Sequence, residues 1–116
     1  MTASALARKP AKNATRQLVT FQVGPMRLAV NVQDIHEINR NLDVTLVPHA
    51  PDTVRGVVNL RGNVVTVMNL HAILGLPPAA PSRDSRNLIV SVRGELIGLW
   101  VDQILDALDV VDSQID

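Results

Sequence analysis

Alternation with a period of two most constrains what this chain can fold into. Val19, Phe21 and Val23 share one face of an extended segment, with Thr20 and Gln22 on the other. After Gly24-Pro25 the pattern resumes with Met26, Leu28 and Val30. Arg55 to Leu60 and Asn63 to Met68 are two runs rich in β-branched residues joined by Arg61-Gly62, and Leu88 to Arg93 and Leu96 to Asp102 flank Gly94-Glu95. Such pairs of short runs around a glycine-containing turn read as β-hairpins. Composition agrees, because 17 Val, 7 Ile and 6 Thr stand against 2 Glu and 2 Lys, a balance that favours strands over helices. The expected class is mainly β, a small barrel or sandwich of several short strands.

The connecting segments are less regular. Val32, Ile35 and Ile38 recur at spacing three, which predicts one or two helical turns carrying Asp34 and Glu37. Val44 to Val47 reads as a short strand stopped by Pro48. Asn69 is placed to cap a short helix over Leu70 to Leu74, and Gly75 to close it. Pro77, Pro78 and Pro81 make Leu76 to Arg86 the expected linker or subdomain boundary. Gln103 to Asp116 is open to two readings. Leu105 and Leu108 fit a helix with Asp102, Asp106 and Asp109 on another face, whereas Val110-Val111 fit a strand. Residues 1–16 are basic, polar and without the apolar stretch of a signal peptide. They are expected to be a flexible tail ahead of a folded domain over 17–116.

The net charge of zero is unevenly spread. Arg8, Lys9, Lys12 and Arg16 lie at the start and five Asp at the end. The region between has a near-balance of Arg and acid, not the positive field of a nucleic-acid binder. One Phe, one Trp and no Tyr leave no platform for stacking bases. No apolar run approaches the roughly 20 residues of a membrane helix. The absence of Cys removes disulfides and thiol chemistry. His36, His49 and His71 are 13 or more residues apart and match no zinc spacing. No dinucleotide fingerprint, phosphate loop or nucleophile elbow is present. The Asp residues from 102 to 116 lack the ligand spacing of a calcium loop and read as a solvated acidic edge. A non-catalytic binding module without cofactor or metal is therefore expected. The alternative is a small β-barrel enzyme or ligand- or metal-binding domain using His36, His49 or His71.

The stretch Gly56-Val57-Val58-Asn59-Leu60-Arg61-Gly62-Asn63-Val64-Val65-Thr66-Val67-Met68-Asn69-Leu70 resembles the signature of the CheW family, the bacterial chemotaxis coupling proteins. That signature is a Gly-Val-X-Asn-Leu-Arg-Gly turn followed by a run such as Val-Val-Pro-Val-X-Asp-Leu. Thr66 and Asn69 stand where the family usually has Pro and Asp. Leu18-Val19-Thr20-Phe21, Met26 to Val32, Ile35-His36-Glu37-Ile38, Pro48 with Pro51, and Glu95 to Asp102 resemble further family segments in the family's order. The resemblance runs from about Gln17 to Asp116. It implies two linked SH3-like five-stranded β-barrels with an apolar groove between them and one or two short helices. Family members are longer, so it also implies that the second or shared barrel lacks its last strands, with low stability or self-association as the result. The implied protein is a cytoplasmic adaptor at membrane receptor arrays, without catalysis or cofactor. Its implied partners are the regulatory domain of a CheA-type histidine kinase and the helical cytoplasmic tip of a methyl-accepting chemoreceptor. The implied partner-binding residues are Glu37 paired with Arg61, and Val32, Ile35, Ile38 and Leu60. Without the resemblance, Arg61 is a turn residue, Glu37 a solvated helix residue, and Val32, Ile35 and Ile38 core. Trp100 is expected in the core.

Overall fold

The computed structural model describes residues 15–40 and 43–111. Strands β1 (Thr15–Val23) and β2 (Met26–Asn31) form the first expected hairpin. Strand β8 (Gln103–Val111) pairs antiparallel with the other side of β1, giving a three-stranded sheet in the order β2-β1-β8. The second sheet contains β3 (Ile35–Asn39), β4 (Val54–Leu60), β5 (Asn63–Asn69), β6 (Arg86–Val92) and β7 (Glu95–Val101). Its order is β3-β6-β7-β5-β4. The mainly β class holds. One sheet has the five strands that the resemblance implies, and the other has three among the described residues.

Strand alternation sorts the apolar residues into two layers. Val58, Leu60, Val65, Val67, Ile89 and Trp100 pack into one cluster on one face of the five-stranded sheet, joined by Val44 and Leu96. The intervening residues of β6 and β7 face the other way. Leu88, Val90 and Val101 meet Phe21 and Val23 of the three-stranded sheet in a second cluster, flanked by Leu28, Val30, Ile35, Leu70 and Ile104. Both faces of β6 are thus covered, which explains its unbroken apolar run Leu88-Ile89-Val90. Trp100 is in the core, as expected.

The two ends of the five-stranded sheet are brought together by one stretch of chain. β3 pairs with β6, and the chain that leaves β3 bonds to the opposite edge strand at Thr45. The Thr45 N–H donates to the Val57 carbonyl at 2.8 Å, and the Val57 N–H donates back at 2.9 Å. The expected strand Val44 to Val47 is reduced to this single bridge. Gly56 makes the approach possible. Its φ is 155°, and a Cβ there would collide with the Thr45 carbonyl and Val44. Gly56→Ala should therefore destabilise the fold by more than about 1 kcal/mol. A lowered denaturant midpoint is the expected reading, and an unchanged midpoint would mean that the bridge gives way freely.

Several expected elements are corrected. Val32 to Ile38 is not helical: Val32–Asp34 is one turn of 3-10 helix, and Ile35 opens β3. Of the two readings left open for the segment from Gln103, the strand is the one found, over Gln103–Val111. Asp102 does not belong to a solvated edge; Asp106 and Asp109 are exposed, while Asp112 and Asp116 lie outside the described residues. Segment 76–86 does not separate the sheets. It links helix α1 (Leu70–Ile73), capped by the Asn69 side chain, to β6 of the same sheet. The chain crosses between sheets at Val32–Asp34 and at Asp102. The turn of the β6–β7 hairpin is Arg93-Gly94, one residue earlier than expected. Thr15 and Arg16, placed in the tail by the sequence pattern, are already in β1, and residues 1–14 lie outside the described residues. Among the described residues no helix is long and apolar enough to cross a membrane.

Candidate partner-binding site

Arg61 and Gly62 are the central residues of the β4–β5 turn, with φ of 50° and 90°. Two successive positive φ values define a type I′ turn, the tight connection whose twist matches the strands. The Asn59 side-chain oxygen accepts from the Gly62 N–H at 2.9 Å and holds the turn. Arg61 is thereby presented at a rigid tip.

Glu37 reaches the same place from the opposite edge of the sheet. The β3–β6 register shifts between Ile35 and Glu37, leaving His36 as the extra residue. A bulge re-aims the side chains that follow it. Ile35, opposite Val90, faces the layer between the sheets, whereas Glu37, opposite Ile89, takes the other face. There the Arg61 guanidinium donates to Glu37 Oε2. The Asn39 amide donates to Glu37 Oε1 at 2.8 Å, and His36 Nδ1 lies 3.2 Å from Oε2. The Glu37 side chain is 18% exposed and that of Arg61 69%. Glu37 is thus fixed within the protein, while most of the Arg61 head stays open to solvent. Because β3 and β4 are the sheet's edges, the ion pair clasps the seam between them.

The Asn39 hydrogen bond is the largest cause holding the Glu37 carboxyl below the usual carboxylate range; the Arg61 and His36 contacts add to it, and desolvation opposes it. A carboxyl with a lowered folded pKa stabilises the fold above its unfolded value and loses that contribution as pH falls through the folded value. The clasp is therefore intact at neutral pH and opens only in acid, below the ordinary value of 4.5. A carbon-detected NMR titration should give Glu37 a midpoint below 4.5, and Asn39→Ala should raise it. A native midpoint at or above 4.5 would contradict the geometry.

The other expected contacts divide. Val32 and Ile38 are 37% and 42% exposed, Val32 in the turn before β3 and Ile38 on the face of β3 away from Glu37. Ile35 is half-buried against the inter-sheet layer. Leu60 is 6% exposed and belongs to the core cluster with Val58 and Trp100, so it cannot be a surface contact. Its alternation with Val58 sends it inward. Two residues were missed. Asn39 lies two positions from Glu37, hence on the same strand face, and a strand reading would have found it. Val64, on the Arg61 hairpin, is among the most exposed large apolar residues. Its position out of phase with the buried Val65 and Val67 was the available signal.

The three histidines do not converge. His36 is beside Glu37, His49 has φ of 64° in the exposed turn before β4, and His71 is buried against Trp100. Among the described residues no three His, Asp or Glu side chains are grouped to hold a metal ion.

The family model of the CheW-like domain matches residues 17–116. The probable chemotaxis protein CheW of Rhizobium etli is 36% identical over 105 residues, covering 90% of this chain and 68% of that protein. The chemotaxis protein CheW of Rhizobium meliloti is 37% identical, covering 94% and 70%. The crystal structure of the scaffolding protein TtCheW from Thermoanaerobacter tengcongensis superposes with a TM-score of 0.82 at 27% identity, covering 86% of this chain and 68% of that one. The chain belongs to the CheW-like domain family.

Proposed function

We propose that this protein is a non-catalytic chemosensory adaptor that couples methyl-accepting chemoreceptors to a CheA-type histidine kinase in the cytoplasm, at membrane receptor arrays. The observation that carries this reading is the Glu37–Arg61 clasp at the edge of a CheW-like sheet, with Val32 and Ile38 exposed on the segment that carries Glu37. A guanidinium held at one point by a carboxylate keeps other donors for a partner, since it has five N–H groups in a fixed fork. Exposed aliphatic residues on and just before the same strand suit the apolar stripe of an amphipathic helix. Val32, Ile35, Ile38, Glu37 and Arg61 are assigned to the partner-binding surface, with Leu60 supporting the turn from within. The relatives are named as chemotaxis and scaffolding proteins, and this reading extends that role to the present chain. No cofactor enters it.

Titration calorimetry with a cognate receptor tip, and separately with the kinase regulatory domain, tests the reading. Each should bind saturably at about micromolar affinity, as transient signalling contacts do. A folded chain that binds neither would overturn it.

A further inference from the structure

One polar cluster lies away from the clasp, where the two sheets meet. Asp102 is the single residue between β7 and β8, so it marks the crossing from one sheet to the other. One of its carboxylate oxygens, Oδ2, accepts from the Gly24 N–H at 2.7 Å and lies 3.1 Å from His71 Nε2. Its own N–H donates to the Gln22 carbonyl at 2.9 Å. Gln22 and Gly24 belong to the end of β1 and its turn, and His71 to α1, which directly follows β5. A single oxygen therefore ties the three-stranded sheet to an element continuous with the five-stranded sheet.

Around this cluster the sheets meet through apolar side chains, among them Phe21, Val23, Leu88, Val90 and Val101. Apolar burial is non-directional and does not by itself fix how two surfaces are turned against each other. Hydrogen bonds of defined length and angle do. His71 is well placed to impose that restraint, because its side chain is 3% exposed and its ring packs on Trp100 at 5.2 Å between centroids. Its other nitrogen, Nδ1, is buried and has no hydrogen-bond partner among the described residues. A carboxylate only accepts, so Nε2 must carry the hydrogen that points at Asp102. A hydrogen on Nδ1 instead would be a buried donor without an acceptor, the more costly way to leave a polar atom unpaired.

We propose that His71, held as the Nε2–H tautomer, and Asp102 are positioning residues that set the orientation of the three-stranded sheet against the five-stranded one. The hairpin that carries Arg61 continues through β5 into α1, so the joint also fixes that hairpin relative to β1 and β2. This inference does not depend on the proposed adaptor role.

Two measurements on the whole chain test it. Long-range nitrogen–proton correlation NMR should show the Nε2–H tautomer at His71. Residual dipolar couplings of backbone amides should fit one alignment tensor across both sheets in the native protein. In His71→Leu that common fit should be lost, the two sheets requiring differently oriented tensors. In His71→Gln, whose amide can still donate to Asp102, it should be kept. An Nδ1–H tautomer overturns the proposal, and so does a His71→Leu protein with the native sheet orientation. If His71→Leu does not fold, the tautomer and the retained orientation of His71→Gln decide.

Discussion

Arg61→Glu and Glu37→Arg should each weaken binding to the receptor tip or the kinase domain tenfold or more while leaving the fold intact. Arg61 is largely exposed, so Arg61→Glu should melt near native, whereas Glu37→Arg, which loses the contacts to Asn39 and Arg61, should melt lower while still folding. Binding is another matter. Removing one member of a charge pair at an interface leaves the other without its complement, and such losses commonly reach 2 kcal/mol or more. Tenfold is about 1.4 kcal/mol. The double swap should recover part of the loss, because residues in direct contact give non-additive effects. Additive losses would mean that the two residues act separately. Leu60→Ala separates surface from core: it should cost about 2–5 kcal/mol of folding stability, with affinity preserved in the fraction that remains folded.

Trp100→Ala should have the largest effect on stability. Trp100 is buried in the cluster with Val58, Leu60 and Ile89, with the Arg55 guanidinium 4.1 Å above its ring and His71 on its flank. Truncating a buried Trp typically costs about 3–5 kcal/mol, out of the roughly 5–15 kcal/mol that holds a domain together. The Arg55 contact depends on a second bulge, between Val54 and Gly56, which re-aims the arginine over the ring. Arg55 is desolvated there, which lowers its pKa. Arg55→Ala should cost less, about 0.5–2 kcal/mol, the range of a cation–π contact. Chemical denaturation checks both. A loss below about 1 kcal/mol for Trp100→Ala would place that side chain outside the core.

What the sequence disclosed depended on how local the cause was. The three hairpins were legible because alternation and turn chemistry lie within about 15 residues of each other. The Asn69 cap was legible for the same reason. Spacing three over Val32, Ile35 and Ile38 was misleading: a 3-10 turn followed by a bulged strand gives the same spacing as a helix. The bulge has no sequence mark of its own. The parallel pairing of β5 with β7 was also hidden, since it joins Thr66 to Ile97 across α1, segment 76–86 and β6. The pairing of β8 with β1 spans nearly the whole chain. Of the site, Glu37 and Arg61 came from the family resemblance; their spacing alone argued against them. Leu60 was misplaced because a motif shows which residues go together without showing which face each occupies.

The adaptor reading is tested most directly by a three-component experiment. Receptor-bearing membranes and the kinase are mixed with or without this chain, and the kinase that sediments with the membranes is measured. The account predicts that the kinase enters the pellet when the native chain is present and stays largely in solution when it is absent or replaced by Arg61→Glu. Kinase sedimentation that is indifferent to a folded native chain would contradict it.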